Sequence, residues 1–145
     1  MNFMTGDSFR RFVDTSILVY AHDEDAGEKQ RQARELVIEL WESGNGCLSV
    51  QVLQEFFVTV TRTVRSPLDS DEALQVIEDY ARWDVHIATP ADVLDAIAIH
   101  RRYEISLWDA MILNSASKLG CRTVYSEDLN ASQRYGEVRV VNPFV

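Results

Sequence analysis

Arg11-Phe-Val-Asp-Thr-Ser-Ile-Leu-Val-Tyr-Ala21 is the stretch whose reading decides the fold. Arg11–Asp14 reads as a short buried strand ending in a carboxylate, and Thr15 or Ser16 can cap a helix over Ile17–Ala21. The same alternation recurs outward from it. Asp23-Glu-Asp-Ala-Gly27 breaks the first helix. A longer one follows over about residues 28–43, with Ala33, Leu36, Val37, Leu40 and Trp41 at helical spacing, and Gly44-Asn45-Gly46 ends it. Cys47–Val50 is a second strand, leading into a helix that carries Val52, Leu53, Phe56, Phe57 and Val60.

Past the break at Ser66-Pro67, Asp69 or Ser70 caps a helix that runs to about Trp83. Asp84–Ala88 reads as a third strand, Thr89-Pro90 opens another helix, and the next starts near Leu107 and stops at Gly120. Arg122–Tyr125 and Val138–Val141 read as the fourth and fifth strands. Short strands joined by helical crossovers point to a parallel sheet covered on both faces. The expectation is one domain over residues 1–145, with its core at about residues 10–144.

Composition narrows the function. The chain is 46% apolar and 26% charged, as expected of a globular protein, and no apolar run approaches the roughly 18 residues of a membrane span. The first residues lack the pattern of a signal peptide, and Cys47 and Cys121 read as buried free thiols; a cytoplasmic protein is the expectation. His22, His86 and His100 share no zinc spacing with each other or with the cysteines. A net charge of −9 argues against a broad basic face for nucleic acid, though twelve of the fourteen basic residues are arginine. Among them, Arg10, Arg11, Arg62, Arg65, Arg101, Arg102 and Arg134 could line a local groove.

Four acids stand out because their surroundings are apolar: Asp14, Glu55, Asp109 and Asp128. Asp14 closes the first strand, and Glu55 interrupts Val50-Gln-Val-Leu-Gln-Glu-Phe-Phe-Val58. Asp109 lies inside Leu107–Leu113, and Asp128 follows Thr123-Val-Tyr-Ser-Glu127. Taken singly, Asp14 or Asp109 is as readily a helix cap, and Glu127-Asp128 a turn. Glu55 has no capping role in mid-helix. A carboxylate in such surroundings needs a partner, and for four together the natural one is a hard divalent cation. The aromatics Tyr20, Phe56, Phe57, Trp83 and Trp108 read mostly as core residues.

In this order and at these separations the motifs resemble the PIN-domain ribonucleases, most closely the small VapC-type toxins of toxin–antitoxin pairs. The matching pieces are Val13-Asp-Thr-Ser16 with Ile17–Ala21, Leu48-Ser-Val-Gln-Val-Leu-Gln-Glu55-Phe56, Leu107-Trp-Asp-Ala110, Tyr125-Ser-Glu-Asp-Leu129 and Val140-Val-Asn-Pro-Phe144. The resemblance implies a five-stranded parallel sheet in an α/β/α sandwich, dependence on Mg²⁺ or Mn²⁺ and cleavage of single-stranded RNA. It implies Asp14, Glu55 and Asp109 as the core acids and Asp128 as the fourth, with Glu127 beside it. Asp14, Asp109 and Asp128 are then the metal ligands, with Glu55 acting directly or through water. Thr15 and Ser126 match supporting hydroxyls. A cognate antitoxin and a homodimer are implied as partners.

Two other α/β classes fit poorly. A haloacid-dehalogenase-like phosphatase needs a second Asp where Ser16 stands, and a receiver-like domain needs a suitably placed lysine, of which the chain has only Lys29 and Lys118. The alternatives that remain are a PIN-like binding module without catalysis and a PIN nuclease of RNA processing or decay.

Overall fold

The computed structural model describes residues 9–130 and 133–145; the N-terminal residues 1–8, read above for a leader pattern, lie outside it. Strand β1 (Arg11–Val13) runs directly into helix α1 (Thr15–Ala21). A short 3₁₀ turn (Glu24–Ala26) leads to α2 (Glu28–Ser43), β2 (Gly46–Ser49) and α3 (Val50–Val58). One π-helical turn (Thr59–Thr63) continues α3. There follow α4 (Ser70–Tyr80), β3 (Asp84–His86), α5 (Pro90–Tyr103), α6 (Leu107–Lys118), β4 (Thr123–Tyr125), β5 (Arg134–Tyr135) and β6 (Val138–Val141).

The sheet order is β3-β2-β1-β4-β6-β5, parallel except for β5. The five strands expected from the sequence are therefore joined by a sixth, a two-residue antiparallel edge that pairs Arg134 with Arg139 and Tyr135 with Val138. From β1 the chain moves outward to β2 and β3, then returns to lay β4 on the other flank of β1. The order reverses between β1 and β4, the place where open α/β sheets build their sites. Helices α1 to α4 pack on one another, while α5 and α6 pair and α6 lies against β2, β4 and β6.

The core is apolar where the strands demand it: Phe12, Val13, Leu48, Val124 and Val140 are fully buried, as are Ile17, Leu18, Val52 and Phe56 on the helices. Both cysteines are free and buried, as expected. Boundaries shift in small ways with clear causes. Asp14, not Thr15 or Ser16, occupies the cap of α1, because its side chain accepts from the Thr15 N–H. β2 starts at Gly46, where the absent side chain lets the Trp83 indole lie against the backbone. Asp69 and Thr89 each close a capping box, with Glu72 and Asp92.

A buried polar knot fastens α5 and α6 to β3. His86 Nδ1 lies 2.8 Å from Ser115 Oγ and its Nε2 lies 3.3 Å from Asp92 Oδ2, while Asn114 Nδ2 donates to Asp92 Oδ1 at 3.2 Å. This Ser–His–Asp set is structural, since Ser115 is 2% exposed and no substrate can reach its hydroxyl.

A Cβ built on Gly46 would stand 2.5 Å from the Trp83 ring, which Trp41 and Tyr80 hold edge-on at 5.4 and 5.2 Å. Gly46→Ala is expected to destabilise the fold by about 1–3 kcal/mol through overpacking. Calorimetry would read this as a drop in Tm of about 3–10 °C; an unchanged Tm would show that the aromatic cluster yields freely.

Candidate functional site

Val13 is paired with Tyr125, so Asp14 and Ser126 leave the sheet side by side at the carboxyl ends of β1 and β4. The Asp14 N–H bonds to the Tyr125 carbonyl at 2.9 Å and fixes that register. Asp14 is 5% exposed, and both of its oxygens are engaged: Oδ1 accepts from the Thr15 N–H and Oδ2 from the Ser126 hydroxyl, each at 2.7 Å. Ser126 uses its whole hydrogen-bonding capacity here, because its oxygen also accepts from the N–H groups of Asp128 at 3.1 Å and Leu129 at 3.3 Å. One hydroxyl thus ties the first acid to the loop that carries the fourth.

Thr15 performs the matching task on the other side. Its hydroxyl donates to Glu55 Oε1 at 2.7 Å, across the gap between α1 and α3. Ser49 caps α3 and Ser106 caps α6, so Glu55 and Asp109 ride on helices with anchored first turns. Gln51, one turn before Glu55, donates from its Nε2 both to Glu55 Oε2 and to the Trp108 carbonyl, each at 3.3 Å. It is a residue the sequence reading missed; the i, i+4 spacing from Gln51 to Glu55 was the available signal.

The electrostatics link the four acids through Asp128, which feels Asp109 and Glu55 and acts on Asp14. Burial pushes the Asp14 carboxyl up to about 6, against the lowering effect of its Ser126 and Thr15 hydrogen bonds, with Asp128 and Glu55 adding repulsion. Asp128 is also raised, by partial burial and by the charges of Glu127, Asp109 and Glu55. Among the described residues none of the four forms an ion pair. Glu127 is different. It accepts from the Tyr20 hydroxyl at 2.6 Å and pairs with Lys29, and those contacts hold its carboxyl low even though burial opposes them. Of the two neighbours, Asp128 is therefore the one left with its charge unmatched.

Two of the four acids, Glu55 and Asp128, line an open cavity of about 620 Å³ together with Thr15, Ser16, Tyr20, Asp23 and Thr59 and Thr63 of the π-helical turn; Asp14 and Asp109 are not in its lining. Single π turns inside helices are frequent at functional sites. Exposed Arg62 and Arg65 lie in and just after that turn. Arg10 and Arg11 do not reach the site. Arg11 starts β1 and Arg10 precedes it, at the end of the strand away from Asp14, and they pair with Glu39 and Asp84 respectively. Arg101 and Arg102 end α5, and Arg134 lies on the edge strand.

The donor set is all oxygen, which suits a hard cation and excludes a thiolate or imidazole site. Among the described residues no three His, Cys, Asp or Glu side chains converge tightly enough to cage an ion unaided. An oxygen set of this kind could hold Mg²⁺ or Mn²⁺ only through one or two carboxylates with retained waters, and not as a closed four-ligand site.

A family model described as PIN domain matches residues 11–137. Among solved structures the chain is similar to VapC20 of Mycobacterium tuberculosis, a Sarcin-Ricin loop cleaving toxin. That match has 20% identity over 81% of this chain and 89% of that one, with a TM-score of 0.61. It is similar also to a toxin-antitoxin complex from Klebsiella pneumoniae, at 17% identity, 92% and 97% coverage and a TM-score of 0.68. DNA-bound VapBC from Salmonella typhimurium matches at 19% identity, 91% and 96% coverage and a TM-score of 0.62. At these identities the likeness is one of fold. No curated protein matches the chain.

The raised Asp14 pKa has a signed consequence for stability. The folded state holds this proton more tightly than the unfolded chain, so its contribution is complete below about pH 4 and is lost as pH rises through about 6. A shift from 3.8 to about 6 corresponds to about 3 kcal/mol. In metal-free buffer, urea denaturation at a series of pH values should show wild type losing about that much relative to Asp14→Asn between pH 4 and 7. Parallel profiles for the two proteins would mean that Asp14 is not desolvated.

Proposed function

The chain belongs to the PIN-domain family, and from that premise we propose that it is a metal-dependent endoribonuclease acting on single-stranded RNA, the toxin of a toxin–antitoxin pair with a cognate antitoxin as its partner. The observation that carries the reading is the buried Asp14, held by Ser126 and Thr15 at the β1–β4 reversal, with Glu55 and Asp128 inside its field, Asp109 acting in turn on Asp128, and no ion pair among the described residues to offset them. A non-catalytic PIN-like module would have no use for four acids whose charges meet at Asp128. The toxin–antitoxin assignment draws on what the fold neighbours are, a toxin and toxin–antitoxin complexes.

Asp14 and Asp109 are assigned as direct ligands of Mg²⁺ or Mn²⁺, Asp128 as a further ligand, and Glu55 as a ligand through water. When bound, the cation would supply Lewis acidity toward a phosphoryl oxygen and lower the pKa of a coordinated water. The chain's own residues do the rest. Thr15 and Gln51 hold the two Glu55 oxygens with neutral donors, which orients the carboxylate without matching its charge. Glu55 can then accept a proton from the attacking water as the new oxygen–phosphorus bond forms. The bond to the leaving oxygen breaks, and that oxygen takes up a proton from solvent. Ser126 keeps Asp14 and the Asp128 backbone in one rigid unit, so that neither must be repositioned in the reaction.

The test is incubation of the purified chain, freed of any co-purifying protein, with a mixed single-stranded RNA pool and Mn²⁺. Cleavage is expected, is abolished by EDTA, and falls by about 100-fold or more in Asp14→Asn, Glu55→Gln or Asp109→Asn. Mn²⁺ should also raise the Tm of wild type and raise it less for Asp14→Asn. A folded wild type that neither cleaves RNA nor gains stability with Mn²⁺ or Mg²⁺ would leave the binding-module reading in its place.

A further inference from the structure

Trp108 was expected in the core, and it is not there: it is 66% exposed, the most exposed of the three tryptophans, in the first turn of α6 beside Asp109. None of the ring contacts among the described residues involves it. Its position relative to the acids is fixed through its backbone. The Gln51 amide that donates to the Trp108 carbonyl is the same one that donates to Glu55 Oε2. Gln51, Gln54, Glu55 and Val58 share one face of α3 by their spacing, so Trp108 stands at the end of that face.

The face itself has two characters. On one flank Glu55 walls the cavity described above, which it shares with Asp128. On the other it walls a shallow hollow of about 280 Å³, shared with Gln54, Val58 and Thr59, and Val58 is 53% exposed. A nucleotide has the same two characters, an anionic phosphodiester and a flat apolar-faced base. A phosphate positioned over the acids leaves its base to find a surface close by, and an exposed indole whose backbone is tied through Gln51 to Glu55 offers one. The overall charge of −9 points the same way, because such a chain gains little general affinity from phosphate neutralisation. Stacking on aromatic rings is the sequence-tolerant source of affinity for single strands that does not depend on net charge.

We propose that Trp108 is the stacking platform for a base of the single-stranded RNA adjacent to the phosphodiester at the acids. The proposal rests on the nuclease reading above and names a substrate contact for that same site. A small aromatic at this position retains most of the platform, and an aliphatic one does not.

The experiment compares wild type, Trp108→Ala and Trp108→Phe in two assays. Binding of short oligoribonucleotides, with and without an abasic position, is measured in the Asp14→Asn background, where cleavage is blocked. Kinetics are measured in the otherwise wild-type chain. Trp108→Ala should bind about ten-fold or more weakly, lose kcat/KM chiefly through KM, and recover most of both in Trp108→Phe. An abasic position at the right place should weaken the parent protein to the level of Trp108→Ala. Unchanged binding and kcat/KM in Trp108→Ala would overturn the platform and leave the nuclease intact. The platform is equally overturned if sedimentation shows that Trp108→Ala only shifts a monomer–dimer balance. Trp108-dependent binding by a chain that never cleaves would instead overturn the nuclease reading.

Discussion

Burying the Asp14 carboxylate at the end of the first strand is the constraint from which the rest of the arrangement follows. A desolvated carboxylate must be satisfied, and here only neutral donors satisfy it: one backbone N–H and one serine hydroxyl. They do not win, since burial still raises the carboxyl to about 6. The hydroxyl comes from the strand that must lie beside β1, so the reversal of sheet order between β1 and β4 is also the condition for satisfying Asp14. Had β4 paired elsewhere, the acid would have no donor for its second oxygen. Fold and site are set by one contact.

From that point the molecule spends rigid local devices on a charge arrangement that is unfavourable by itself. Ser126 donates once and accepts twice, and Thr15 bridges two helices. The buried knot of His86, Asp92, Asn114 and Ser115 pins α6, the helix that carries Asp109, to β3. These contacts hold the acids near one another while their charges push them apart. Two unit charges about 4 Å apart repel by about 4 kcal/mol at an effective dielectric near 20, which several hydrogen bonds of about 1 kcal/mol each can oppose. On the function proposed above, a cation brought into that field would relieve the repulsion, so that binding it would also stabilise the fold.

Most of the fold was legible because it is written in local chemistry. Capping residues at Asp69 and Thr89, Pro90 at a helix start and Gly44 at a helix end fall where the elements begin and stop. The missed edge strand β5 is two residues long, too short for any alternation to register. The acids were legible as residue types in apolar surroundings. The placing of Asp14 beside Ser126 was not, because it depends on β1 and β4 being neighbours, a non-local fact. Thr15 and Ser126 entered by resemblance, and the structure gives each a bonded partner among the acids. Gln51 was invisible for the opposite reason: a glutamine on a helix has no sequence signature until its two acceptors are seen. Trp108 misled because apolar spacing was taken as burial, whereas it stands on the exposed side of a turn whose inner side is filled by the fully buried Ala110.

The separation of Glu127 from Asp128 shows why adjacency in sequence says little about role. Successive residues in an extended turn point in different directions, and each side chain meets a different set of partners. Glu127 meets Lys29 and the Tyr20 hydroxyl, becomes a matched charge and fastens the loop to α1 and α2. Asp128 meets a cavity wall and other carboxylates, and remains unmatched. The first contact makes the second possible: a loop anchored by Glu127 can hold an exposed acid where repulsion would otherwise swing it away. The pair is best understood as an anchor and an unmatched acid, and which is which follows from asking which charge the protein has left without a partner.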